Sequence, residues 1–177
     1  MLTTRKTNIG NRLRAIASLT AIMFPACLAS AASAATVEVT LADHGAAADM
    51  PTGLGMGMPG ADMTKASMSI TAMPATVETG PVTFNVRNTS KELVHEMLVV
   101  PVGTDLTQLP YDKSNEDVSE DSAGSLGEVE ERDPGATGTL TLDLKPGKYI
   151  LFCNVPGHYT AGMWTVLTVA AKPALTQ

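Results

Sequence analysis

Lys148-Tyr149-Ile150-Leu151-Phe152-Cys153-Asn154-Val155-Pro156-Gly157-His158-Tyr159-Thr160-Ala161-Gly162-Met163-Trp164-Thr165-Val166-Leu167-Thr168-Val169-Ala170 sets two apolar, β-branched runs on either side of a turn-rich loop. Runs of that length bounded by Pro and Gly read as strands rather than helices. Cys153 closes the first run and Met163 opens the second. Pro156-Gly157 and Gly162 turn the chain between them, so a thiol, an imidazole and a thioether are expected at one end of a β structure.

The rest of the chain reads the same way. Beyond the first 34 residues no dozen residues show a helical period, while short alternating or β-branched runs cover 36–42, 67–71, 82–87, 94–101, 138–144, 148–153 and 163–170. Glu78-Thr79-Gly80-Pro81, Asn88 to Lys91, Asp133-Pro134-Gly135 and Lys145-Pro146-Gly147 supply the turns. Short strands at this spacing predict an all-β, two-sheet sandwich. Two segments stand apart and read as surface loops. Residues 44–65 are rich in Gly, Ala and Met, and with the strand that follows they hold Met50, Met56, Met58, Met63, Met68 and Met73. Residues 112–133 are acidic, with room for one short helix.

The 177 residues suit one ordinary domain. Residues 1–34 have the layout of an export signal: Arg5, Lys6, Arg12 and Arg14 without an acid among them, then an apolar stretch broken by Pro25, then Ala32-Ser33-Ala34. The expected division is a signal over 1–34, a domain over 35–172 and a short tail over 173–177. Such a chain is exported, periplasmic in a bacterium, with no membrane span. Phe24-Pro25-Ala26-Cys27 is a poor lipid-anchoring signal. The full chain carries 12 Lys and Arg against 18 Asp and Glu, and the signal removes only basic residues, so nucleic acid is excluded as a partner. With Cys27 inside the signal, Cys153 is a lone thiol in an oxidising compartment, where disulfides are the ordinary use of cysteine. It needs another reason to be there.

Metal ligation supplies one. Cys153, His158 and Met163 follow the spacing C-x4-H-x4-M, and one further imidazole completes two His and one Cys with a weak axial Met, the donor set of a mononuclear blue-copper site. Only His44 and His95 remain as donors. His95 begins a strand just after a turn, whereas His44 sits in a Gly/Ala loop, so His95 is the expected ligand.

This loop resembles the ligand loop of the cupredoxins, nearer in spacing to rusticyanin than to plastocyanin. The run Met73 to Val86, a strand, a Gly turn and a second strand ahead of His95, is similar to the family's approach to its first His ligand. The resemblance spans residues 36–171. It implies a Greek-key β-sandwich with one type 1 copper at one end, His95, Cys153, His158 and Met163 as ligands, and His158 as the electron exit among Val155, Pro156, Tyr159 and Gly162. It also implies a monomer that carries single electrons to a redox protein such as a cytochrome and transforms no substrate. Many cupredoxins have Asn directly after the first His; here Glu96 stands there. An apolar surround of Leu151, Phe152, Val155, Pro156 and Trp164 is expected to tune the copper potential.

Other readings stay open. Two His and a Cys also suit zinc, though zinc has no use for Met163. A Cys/His hydrolase needs an orienting group and an oxyanion hole, for which nothing argues. Cys153 and His158 taken singly are an inert thiol and a turn histidine. The methionines are either a soft flap over an apolar surface or a Cu(I)-selective site, the latter making the protein a copper chaperone, store or resistance protein, with His44 as an added ligand. The acidic segment is a solvated loop or a docking patch for a basic partner; the apolar surface around His158 is the other place for docking.

Overall fold

The computed structural model describes residues 34–44 and 50–173. Residues 1–33 of the expected export signal, with Cys27, residues 45–49 and residues 174–177 of the expected tail lie outside them. The described chain is almost wholly β: β1 (Ala35–Asp43), β2 (Met68–Met73), β3 (Thr76–Glu78), β4 (Gly80–Asn88), β5 (His95–Val102), β6 (Tyr111–Asp112), β7 (Asp117–Val118), β8 (Gly127–Arg132), β9 (Thr137–Leu144), β10 (Gly147–Phe152) and β11 (Trp164–Ala170). One short helix, α1 (Glu120–Ala123), and a 3-10 turn at Met63–Lys65 complete it.

Two mixed sheets form the sandwich, one in the order β2-β1-β4-β9 and the other in the order β3-β11-β10-β5-β8, with β6 and β7 pairing as a separate hairpin. The pairs β1 with β4 and β3 with β11 are parallel; the remaining ladders are antiparallel. Alternation decides which residues meet between the sheets. Val37, Val39 and Leu41 of β1 and Val82, Phe84 and Val86 of β4 face inward onto Met97, Val99, Leu151 and Leu167.

In the five-stranded sheet the neighbouring strands β5 and β10 are buried on both faces. Leu98 and Val100 of β5, with Ile150 and Phe152 of β10, point away from the sandwich into a second apolar cluster. Met56, Leu109, Val118 and Tyr159 close over them. This explains the unbroken apolar runs Leu98-Val99-Val100 and Ile150-Leu151-Phe152, which a half-exposed strand would not carry. Residues 44–65 are therefore not simply a surface loop as composition suggested: Leu54 and Met56 are buried, the latter 1% exposed. The Trp164 indole also donates to the Leu54 carbonyl at 2.7 Å.

The acidic segment also differs from expectation. It contains the predicted short helix, α1, but also β7 and the edge strand β8, Gly-Glu-Val-Glu-Glu-Arg. Only Val129 of β8 is buried, and the strand pairs with β5 alone in its sheet. Such an edge can be acidic because its outward face meets water, and that composition hid it from a search for apolar alternation.

Candidate metal centre

His95 is the first residue of β5 and lies on the inward face with Met97 and Val99. The β5–β8 register shifts between His95 and Met97, a bulge at the position where the histidine enters the sandwich. The turn before it is held by Asn88, fully buried, whose Nδ2 donates to the carbonyls of Leu93 and Arg132, each at 2.8 Å. Its Oδ1 accepts the Ser90 backbone N–H at 2.9 Å. The sequence offered Asn88 only as a turn residue; its cross-chain role had no local signal.

Cys153 follows β10, whose Leu151 shares its inward face, and β10 pairs Phe152 opposite Leu98 of β5. The thiol thus comes up beside His95, and the backbone N–H of Glu96 donates to Cys153 Sγ at 3.5 Å. From Cys153 the loop runs to Met163 and closes on itself: the Cys153 N–H donates to the Met163 carbonyl and the Met163 N–H to the His158 carbonyl, both at 3.1 Å. The loop doubles back through Gly157 at φ +83° and Gly162 at φ +97°, backbone conformations that side chains other than glycine rarely adopt. Asn154 fixes the loop from the other side, accepting the Val118 N–H at 2.7 Å and donating to the Val118 carbonyl at 3.0 Å. No spacing rule pointed to Asn154 either.

Three of the four expected residues converge through their side chains. His95 Nδ1 and His158 Nδ1 are 3.2 Å apart, and Cys153 Sγ lies 3.4 Å from His158 Nδ1 and 4.0 Å from His95 Nδ1. All three residues are buried, and their ligand atoms lie within 4.8 Å of one another. Met163, fully buried, belongs to the same core cluster as Cys153 and is tied to it by the backbone. His44 is elsewhere: its Nε2 meets Ser69 Oγ at 3.1 Å on the surface.

The electrostatics suit a bound cation. Burial pushes the Cys153 thiol up to about 12, against the backbone N–H groups of Glu96 and Val155 that favour the thiolate. Burial, with His95 beside it, brings His158 down to about 4. His95 is lowered by burial too, against the pull of the Asp43 carboxylate, whose Oδ1 stands 3.6 Å from His95 Nε2. Neither ring supplies a positive charge to ionise the thiol, so the pair lacks the thiolate–imidazolium character of a cysteine hydrolase. Neutral imidazoles are the form that binds a metal, and a bound cation would favour the Cys153 thiolate against the burial that pushes the thiol up. The donors are two nitrogens and one soft sulfur, the group contains no fourth His, Cys, Asp or Glu among the described residues, and a thioether residue adjoins it. That set fits copper better than zinc, which takes four strong ligands or three with water.

Beside the site, Glu96 is raised to about 7, first by burial and then by Glu128, Glu120 and Glu131, against the backbone N–H of Asn154. Part of the expected apolar surround is placed differently. Leu151 is in the inter-sheet core and Val155 packs against it, but Phe152 and Trp164 belong to the outer cluster, because alternate residues of a strand face opposite ways. Tyr159, expected at the exposed rim, is fully buried, its ring centroid 5.5 Å from that of Phe152. Pro156 is exposed, and His158 is 5% exposed.

The sulfocyanin (SoxE) domain model matches residues 130–175, the stretch that includes the Cys153 to Met163 loop. Auracyanin B is similar over 81% of this chain and 93% of its own, at 20% identity and a TM-score of 0.50. Dithionite-reduced auracyanin from Roseiflexus castenholzii aligns over 79% of this chain and 99% of its own, at 23% identity and a TM-score of 0.47. Rusticyanin from Thiobacillus ferrooxidans aligns over 77% and 79%, at 18% identity and a TM-score of 0.45. No curated protein matches the chain. The sandwich described above is the cupredoxin fold that the sequence resemblance implied.

Proposed function

We propose that this chain is an exported mononuclear blue-copper protein that carries single electrons between redox partners, with His95, Cys153, His158 and Met163 holding the metal. The observation that carries this reading is the buried convergence of two imidazole nitrogens and one thiol within 4.8 Å, on a loop whose backbone ties Cys153 to Met163. Copper bound there supplies a reversible one-electron couple, Cu(II) to Cu(I). The chain supplies the setting: Cys153 gives a soft anionic donor, the two rings suit both oxidation states, and the buried pocket limits water. On this reading the chain transforms no substrate. His158, beside exposed Pro156, is the proposed electron exit.

The partner is a redox protein such as a cytochrome, met by a monomer. It docks on the apolar surface around His158 or on the acidic face that includes α1 and β8. Export rests on the basic, apolar and small-residue pattern of residues 1–34, and among the described residues no helix is long and apolar enough to cross a membrane.

The second reading, a copper chaperone, store or resistance protein, draws on Met50 and Met63, whose methyl groups lie over the ligand loop; a Cβ at Gly157 or Gly162 would meet them at 3.4 and 3.3 Å. Against it, Met56 and Met68 are sunk in two different apolar clusters and Met73 is 68% exposed. The deciding experiment is a visible spectrum with metal analysis on the purified chain after addition of Cu(II), followed by Cu(I) titration. An intense visible band at one copper per chain supports the electron carrier. A colourless zinc protein rejects it, and extra Cu(I) handed on to an acceptor favours the carrier of metal.

A further inference from the structure

The ring of His95 has two ends, and the proposed ligand set uses only one. Nδ1 turns toward Cys153 and His158, while Nε2 points away from them to the carboxylate of Asp43, at 3.6 Å from Oδ1. Among the described residues, both atoms of this pair are buried without any hydrogen-bond partner. Two complementary polar groups left unpaired side by side are costly to bury, so their juxtaposition calls for a reason.

The backbone that brings Asp43 there is well fixed. Asp43 is the last residue of β1, opposite Met68 of β2, and the next residue donates its backbone N–H to the Ser67 carbonyl at 2.6 Å. Two residues earlier, the Leu41 carbonyl accepts both the backbone N–H of Thr89, at 2.8 Å, and the Thr89 hydroxyl, at 2.9 Å. Thr89 lies in the turn that leads into His95. The end of β1 and the start of β5 are thus joined across the sandwich, and the Asp43 carboxylate, 17% exposed, is held beside a ring that is wholly buried.

We propose that Asp43 is a positioning residue for His95: its carboxylate accepts a hydrogen bond from Nε2–H, which keeps the proton on Nε2, leaves the Nδ1 lone pair facing Cys153 and His158 and makes the ring a stronger donor to Cu(II). The step from 3.6 Å to hydrogen-bond distance is a small side-chain adjustment, and contacts of this kind commonly tighten when the site is loaded. A metal-bound imidazole has one nitrogen committed and must place its proton on the other, and a carboxylate on that proton fixes the tautomer and raises ligand basicity. The added negative charge favours Cu(II) over Cu(I). This second part rests on the copper reading above; the first does not.

Two measurements test it. In the metal-free full chain, long-range proton–nitrogen NMR of the histidine rings is expected to show His95 protonated at Nε2, with Nδ1 bare; protonation at Nδ1 overturns the proposal without reference to copper. In the copper-loaded chain, Asp43→Asn keeps an acceptor and removes the charge, and Asp43→Ala removes both. Cu(II) affinity is expected to fall by about 10- to 100-fold in the alanine variant and by less in the asparagine variant, with Cu(I) affinity less affected. Each tenfold change in the ratio raises the reduction potential by about 59 mV. Variants that fold, bind copper and keep the parent potential overturn it. Should a variant fail to fold, the tautomer in the parent chain decides, and should the parent take up no copper, the functional reading falls while the tautomer still decides the role of Asp43.

Discussion

The Nδ1 atoms of His95 and His158 stand 3.2 Å apart, although one residue begins β5 and the other lies in the loop between β10 and β11. Two neutral imidazoles at this distance can share one hydrogen bond, the N–H of one ring donating to the bare nitrogen of the other. Cys153 Sγ lies 3.4 Å from His158 Nδ1 and 4.0 Å from His95 Nδ1, so the three atoms are close enough together for one cation to meet them all, which is the arrangement the copper proposal uses.

Replacing the sulfur anion tests that arrangement directly. Cys153→Ser nearly keeps the volume and removes the sulfur, the donor whose charge transfer to bound Cu(II) would give a visible band. The visible band of the Cu(II)-loaded protein is expected to vanish; a band of parental intensity would reject Cys153 as ligand.

Met163→Leu conserves volume in a fully buried position, so its cost in stability is expected to stay below about 1.5 kcal/mol. Copper is expected to remain bound while the reduction potential rises, the outcome that follows where Met163 supplies a weak sulfur donor favouring Cu(II). Voltammetry that finds the parental potential would show that Met163 is not axial.

Asn88→Ala leaves the carbonyls of Leu93 and Arg132 and the Ser90 N–H without their partner. Each buried group left unpaired costs about 1–3 kcal/mol, and a loss of about 3 kcal/mol in total is expected from urea unfolding of the metal-free chain. A loss below about 0.5 kcal/mol would mean that water replaces these bonds.

The methionine-rich segment gives a contrast within one chemistry. Met56→Ala removes a buried side chain from the outer cluster and is expected to cost about 2–5 kcal/mol. Met73→Ala, at a 68% exposed position, is expected to stay within about 0.5 kcal/mol. Replacing Met50, Met58 and Met63 together by Leu is expected to leave Cu(I) stoichiometry unchanged; a drop would restore the metal-carrier reading.

Acid and base act on the metal-free chain in opposite directions. Glu96 is raised from 4.5 to about 7, so the native state holds its proton more tightly than the unfolded chain, and the stability it contributes is present below pH 4.5 and lost between 4.5 and 7. His158 is lowered from 6.5 to about 4, so its contribution is present above pH 6.5 and lost as pH falls toward 4. Glu96→Gln is therefore expected to make stability rise more steeply with pH between 5 and 7 than in the parent. Equal slopes by denaturant unfolding would show that Glu96 titrates normally.

Periodicity carried most of this fold because β1, β4, β10 and β11 are apolar where they face the core, and each lies within two residues of its expected bounds. β8 escaped because an edge strand needs one buried side chain, Val129, and can spend the rest on acids. The outer cluster escaped because alternation says that Phe152 and Leu151 face opposite ways but not that both faces are covered. At the site, the loop spacing pointed to Cys153, His158 and Met163, and strand position separated His95 from His44. Asn88, Asn154 and Asp43 act between elements remote in sequence, where no local pattern marks them.

The acidic strand β8 has a consequence for how copies of this chain behave toward one another. As the last strand of its sheet it offers a backbone edge to which a foreign strand could add, and Glu128, Glu130 and Glu131 would repel a copy that approached with the same edge. Burial and the carboxylates of Glu120 and Glu130 raise Glu128, so this guard weakens at a higher pH than ordinary glutamates would set. Concentrated acidic solutions, or strong salt that screens the repulsion, are where self-association through this rim is expected to begin.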